Sequence, residues 1–213
     1  MTENKLASTA IHAFFFNPPF ETTKIAYTLA EIYKDGPYMA FLEGRKDLII
    51  LDIGANIGVT SYYFSHFAKQ VYALEPSLEH FDLLTRQLAF NNIKNVKPIK
   101  KALYIKNTKL PLYKNEVNRS MFSLFQNVHD GKTPVEMVDT ITIDSLFEEE
   151  KIEHVDFMKL DVEGSEVEIV SSDGFRKVAP KIDFILIELH SWNDRHPNQI
   201  FEALKSNGYE ITQ

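Results

Sequence analysis

The strongest constraint on this chain is the run LIILDIGANIG at residues 48–58. Its apolar residues continue without alternation, as in a strand covered on both faces. The run meets Asp52 and then leaves through Gly54, Ala55, Asn56 and Gly58. Small residues there allow unusual backbone angles and let a ligand approach the main chain. Val59, Tyr62, Tyr63 and Phe67 follow at helical spacing. The opening unit is therefore a strand, a tight turn and a helix.

The pattern repeats. QVYALE reads as a second strand, and SLEHFDLLTRQLAFNN as a helix capped by Ser77, with Leu78, Phe81, Leu84 and Leu88 inward. NVKPIKKALY reads as a third strand. KLPLYK and VEMVDTIT are strands around a long polar loop, and IDSLFEEEK is a short helix. VDFMKLDV, GSEVEIVSS and DFILIELH then read strand, helix, strand. A last helix, PNQIFEALKSNG, carries Pro197 in its first turn and Gly208 as its stop, and YEIT begins one more strand. Such alternation predicts an α/β protein with a doubly wound, mostly parallel Rossmann-like sheet and helices on both faces. Residues 1–45 are expected to form a helical extension or cap, with a helix around Ile25–Tyr33, and 46–213 the main domain.

Composition excludes several classes. The 213 residues hold no cysteine, so there is neither a disulfide framework nor a thiolate metal site. The net charge of −7 disfavours a nucleic-acid partner. No run approaches the ~20 apolar residues of a membrane span, and no secretory leader is expected, so a cytoplasmic protein without membrane contact is anticipated.

Ligands on such sheets sit at the carboxyl ends of the strands, near the point where strand order reverses. The chemistry-bearing residues at those ends are Asp52, Glu75 with Pro76, Asp161 with Glu163, and Glu188 with His190. Glu75 suits the two hydroxyls of a ribose, because an ionised carboxylate only accepts. A dinucleotide site would carry G-x-G-x-x-G. Here Asn56 stands where the middle glycine would be, and Asp52 would repel a pyrophosphate but suit an ammonium. A nicotinamide cofactor and a phosphate-free nucleoside such as S-adenosylmethionine both remain open on the residues alone, as does a tight turn with no ligand.

ILDIGANIG, YALEPS, TIDSL and FMKLDVEGSEVEIV, in that order, resemble the FkbM family of S-adenosylmethionine-dependent methyltransferases. The resemblance covers roughly residues 47–190. It implies a class I methyltransferase fold, S-adenosyl-L-methionine as cofactor, and O-methylation of a hydroxyl on a sugar or polyketide-like natural product. Within 213 residues the fold's closing antiparallel strand is expected to be missing, supplied from elsewhere or trimmed away, and an unpaired last strand would invite a homodimer. Asp52, Gly54, Asn56, Gly58 and Glu75 carry over as cofactor contacts, and Ala55, Pro76 and Asp161 join them by position. A non-catalytic nucleotide-binding or partner-binding domain of the same fold is the alternative.

Methyl transfer needs a group that takes the hydroxyl proton. Strand alternation puts Lys159 and Asp161 on one face, and Glu188 and His190 on one face of the next strand. Convergence of these four is expected, with Glu188 pairing Lys159 and with His190 or Asp161 as base. Glu166 is expected only to favour its helix dipole. Glu163, Arg119 and Trp192 are candidates for substrate contact, with Ser120, Met121, Phe122 and Arg195 nearby. Asp161, Glu163 and Glu188 offer oxygen ligands, but no further ligand stands at convincing spacing, so no metal is expected. NPPF at 17–20 spells the motif of amino-methyltransferases, yet FMKLDVEG already holds that motif's place, and a proline turn is the expected meaning.

Overall fold

The computed structural model describes residues 38–114, 122–126, 134–190 and 197–211. The expected helix around Ile25–Tyr33, the NPPF turn, Arg119, Ser120, Met121, Trp192 and Arg195 lie outside the described residues.

Five parallel strands form the central sheet. They are β1 (Leu48–Ile53), β2 (Ala68–Leu74), β3 (Val96–Ile99), β8 (Val155–Leu160) and β9 (Ile182–Ile187), in the order β3-β2-β1-β8-β9. Strand order reverses between β1 and β8, which defines the switch point. One face is covered by α1 (Met39–Leu42), α2 (Val59–Phe64) and α3 (Leu78–Phe90). The other is covered by α4 (Ile143–Glu150), α5 (Glu166–Ser171), α6 (Asp173–Val178) and α7 (Pro197–Ser206). The sheet is thus doubly wound, as the sequence pattern predicts.

Both faces of β1 are apolar because both are packed. Ile50 joins the cluster of α2 and α3, while Leu51 and Ile53 join that of α4 and α5. Tyr38, Phe41 and Leu42, from the expected N-terminal extension or cap, belong to the first cluster; Phe41 stacks on Phe157 and Phe184. The predicted third strand is two elements. β3 ends at Ile99, and β4 (Ala102–Leu103) pairs with β7 (Pro134–Ile141) in a second sheet. That sheet runs β4-β7-β5-β6, with β5 (Lys109–Lys114) and β6 (Phe122–Ser123) antiparallel. Leu78, expected inward, is 49% exposed, whereas His80 and Gln87 are buried on the same helix. The helix turns its His80–Leu84–Gln87 stripe to the core, and Leu78 in its first turn lies off that stripe. Tyr209–Ile211 form no strand; the Tyr209 hydroxyl instead donates to Ala179 O and Ile182 O.

β1 and β8 are held close at the switch point. A Cβ placed on Gly54 would lie 1.8 Å from Asp161 O, and Gly54 has φ +79°. Gly44 has φ +73° with nothing near it. Gly54→Ala is expected to cost roughly 3 kcal/mol or more, lowering the melting temperature by about 6 °C or more, against about 1 kcal/mol for Gly44→Ala. Equal melting temperatures for the two variants would show that the close approach is not a constraint.

Candidate active site

A pocket opens at the carboxyl edge of the sheet, over the switch point. Gly54, Asn56, Glu75 and Pro76 line one side, and Asp161, Glu163 and Ser165 the other. Leu103, Leu112, Phe122 and Leu124 from the second sheet add an apolar wall.

Glu75 follows β2 directly and is buried. Its two carboxylate oxygens accept from separate backbone donors, Oε2 from Asn56 N and Oε1 from Ser77 N, each at 2.9 Å. The β1 turn and the α3 N-terminus therefore converge on one carboxylate. Asn56 reaches it from a left-handed conformation, φ +52°. Burial raises the Glu75 carboxyl to about 7, although the bonds from Ser77 and Asn56 act the other way. His80 lies beside it, Nδ1 at 4.0 Å from Oε1, edge-on to Phe122.

Asp52 and Ala55 do not line the pocket. Asp52 is fully buried behind it, on the α2 side of β1. Its Oδ2 accepts from Thr60 Oγ1 at 2.8 Å and Ser61 Oγ at 2.6 Å. Ala55 packs into the core, its N–H donating to Leu74 O. Gly58, φ +88°, stands at the N-cap of α2 and packs against Leu84.

Lys159 does not pair with Glu188. Its Nζ lies 2.8 Å from Asp161 Oδ2, 3.2 Å from Gly54 O and 3.9 Å from Asp52 Oδ1. Register explains the change of partner. Lys159 is level with Asp52 on β1 but with Leu186 on β9, and Glu188 lies beyond the end of that strand, its side chain 56% exposed. Burial lowers the Lys159 ammonium, but the charges of Asp161 and Asp52 outweigh it and drive its pKa upward, so the charge is permanent.

His190 joins a different set. Its Nδ1 lies 2.9 Å from Glu166 Oε1, and its Nε2 lies 3.2 Å from Glu163 Oε2 and 3.6 Å from Glu188 Oε1. Burial lowers this ring, but the bond to Glu166 and the charges of Glu163, Glu166 and Asp161 raise it overall to about 9. These carboxylates favour the protonated ring, a donor, whereas the expected role of general base uses the neutral ring. Glu166 was underrated in the sequence: it is buried, and its Oε1 also accepts from Val162 N and Gly164 N. The signal legible in the sequence is Gly164, two residues before it, which marks a turn whose N–H groups need an acceptor.

Residues 52–211 match the family model of the methyltransferase FkbM domain. The chain belongs to this family of S-adenosyl-L-methionine-dependent methyltransferases. A curated relative, the hexuronic acid methyltransferase AglP of Haloferax volcanii, is 26% identical over 153 residues, 71% of this chain and 60% of the relative. The chain thus spans about 60% of the length of the curated relative it matches. An FkbM methyltransferase from Methylobacillus flagellatus KT superposes with a TM-score of 0.45 at 16% identity, covering 68% of this chain and 33% of that one. For an S-adenosylmethionine-dependent methyltransferase from Aquifex aeolicus the values are 0.46 and 15%, with 92% of both chains covered.

Lys159→Met would leave Asp52 and Asp161 without their shared cation. A loss of about 3–5 kcal/mol is expected near pH 7. The Asp52 carboxyl is already raised, by burial first. A raised carboxyl contributes stability at low pH that is lost as pH rises through its folded-state value. The deficit should therefore shrink on acidification, read by denaturant unfolding. A deficit that does not change with pH would contradict this charge assignment.

Proposed function

We propose that the protein methylates a hydroxyl of a sugar-like small molecule, with S-adenosyl-L-methionine held over the β1 turn. The observation that carries this reading is the opposition, across one pocket, of the Glu75 carboxylate and the Asp161–Glu163 wall backed by His190. The pocket fits the cofactor on two counts. The close packing of Gly54 on Asp161 leaves the turn without a side chain in the way. Each Glu75 oxygen, having accepted one N–H, keeps a lone pair for a ribose hydroxyl. When bound, the cofactor supplies a methyl carbon on a cationic sulfur, which keeps the electron pair when the acceptor oxygen displaces it.

The chain's own residues do the rest. Glu75 holds the ribose and the β1 turn carries the amino-acid end. Leu103, Leu112 and Phe122 exclude water from the side facing the second sheet. Asp161, fixed by Lys159, and Glu163, fixed by His190, take up the hydroxyl proton. The hexuronic acid methyltransferase among the relatives supports a sugar acceptor.

Two measurements test this. Glu75, whose carboxyl sits near 7, accepts from both ribose hydroxyls at once only when ionised. Affinity for S-adenosylhomocysteine should fall about tenfold from pH 8 to pH 6. Glu75→Gln should remove that dependence and weaken binding at pH 8 by roughly 10- to 100-fold. A variant that binds like the wild type at both pH values would place the ribose elsewhere. In the second, incubation with S-adenosylmethionine and a panel of hexoses, hexuronic acids and their glycosides should give an acid-stable methyl ether by mass spectrometry. Methyl found on nitrogen, or as an ester on a carboxylate, would refute methylation of a hydroxyl.

A further inference from the structure

We infer that Asp161, Glu163 and His190 form a site for a divalent cation of the Mg2+ or Mn2+ class, at the acceptor end of the pocket. The cation's role rests on the proposed methyl transfer; its binding does not. One donor atom from each of the three residues lies within 4.8 Å of the other two. An octahedral ion with bonds of about 2.1 Å sets adjacent ligands about 3 Å apart and opposite ones about 4.2 Å apart. His190 Nε2 and Glu163 Oε2, at 3.2 Å, stand at the adjacent-ligand distance. Two carboxylate oxygens and one imidazole nitrogen suit hard to borderline cations. The ligand that the sequence reading lacked is the histidine beyond β9.

Two observations outside the ligand triad separate this cluster from an ordinary acidic loop. Glu166, buried at the start of α5, accepts from His190 Nδ1, which turns Nε2 toward Glu163. A carboxylate on the far nitrogen is the arrangement that orients metal-binding imidazoles. Ser165 is fully buried and lines the same pocket as Asp161 and Glu163, yet its hydroxyl has no hydrogen-bond partner among the described residues. Buried hydroxyls are normally paired, so this one is left for a ligand or a ligand's water.

The ion also narrows the acceptor. Three protein ligands leave octahedral positions for two acceptor oxygens and water, which selects a vicinal diol or a hydroxy acid over an isolated hydroxyl. A sugar acid would be repelled by the bare carboxylate wall, and the cation bridges the two. Ligation lowers the pKa of the target hydroxyl and eases passage of its proton to the wall.

The test uses the full chain, stripped with chelator, and Mn2+ alone, followed by electron paramagnetic resonance. One equivalent should bind. His190→Ala, which leaves the Val162 and Gly164 bonds to Glu166 in place, should abolish that binding, and Glu166→Gln should weaken it by about 10- to 100-fold. A second set of donors, His154, Asp156 and Asp183, lies close together elsewhere. Asp183→Asn should leave the stoichiometry unchanged. Binding that survives His190→Ala, or that is lost in Asp183→Asn, overturns the site. S-adenosylhomocysteine affinity is measured on the same samples. Cofactor binding without stoichiometric Mn2+ overturns the cation site and spares methyl transfer. Mn2+ binding without cofactor binding supports the cation site and strikes the function.

Discussion

Lys159 carries a permanent charge into the sheet at 5% exposure, where an unpaired ammonium would cost several kcal/mol. It is tolerated because three oxygens surround it: Asp161 on its own strand, and Asp52 and the Gly54 carbonyl on β1. Those contacts cross the switch point. They fix Asp161 on the pocket wall and hold the β1 turn from behind. Asp52 extends the network to α2 through Thr60 and Ser61. The turn is thereby held from behind by Lys159, Asp52 and α2, which leaves its front free.

The front is built from strained turns. Gly54 and Asn56 after β1, and Glu163 and Gly164 after β8, all have positive φ. Non-glycine residues in that region cost about 1–2 kcal/mol each and persist where their surroundings over-determine them. Each turn has its own buried carboxylate as the over-determining partner. Glu75 binds the N–H of Asn56, and Glu166 binds those of Val162 and Gly164. Both carboxylates serve twice, since Glu75 faces the pocket and Glu166 orients His190. Structural support and recognition are thus the same hydrogen bonds.

The sequence revealed what depends on local spacing. The buried β1 run, the helix after it and the Ser77 cap are set by residues near one another in the chain, and they appear where expected. What it hid depends on register and on distant contacts. Asp52 looked like a ligand contact because it ends a strand run, but alternation puts it on the α2 face opposite Ile53, and Ile53 lines the pocket. Glu188 looked like the partner of Lys159 because sequence gives no offset between β8 and β9. The apolar pocket wall from β4, β5 and β6 was illegible, since nothing local says that a second sheet folds back over the first. Glu166 and His190, 24 residues apart, meet only because β9 returns beside β8.

A crystal structure with S-adenosylhomocysteine bound tests the central claim most directly. The account predicts both ribose hydroxyls within hydrogen-bond distance of Glu75, the sulfur directed toward Asp161 and Glu163, and Lys159 still bridging Asp52 and Asp161. A nucleoside bound away from Glu75, or a sulfur facing away from the Asp161–Glu163 wall, would contradict it.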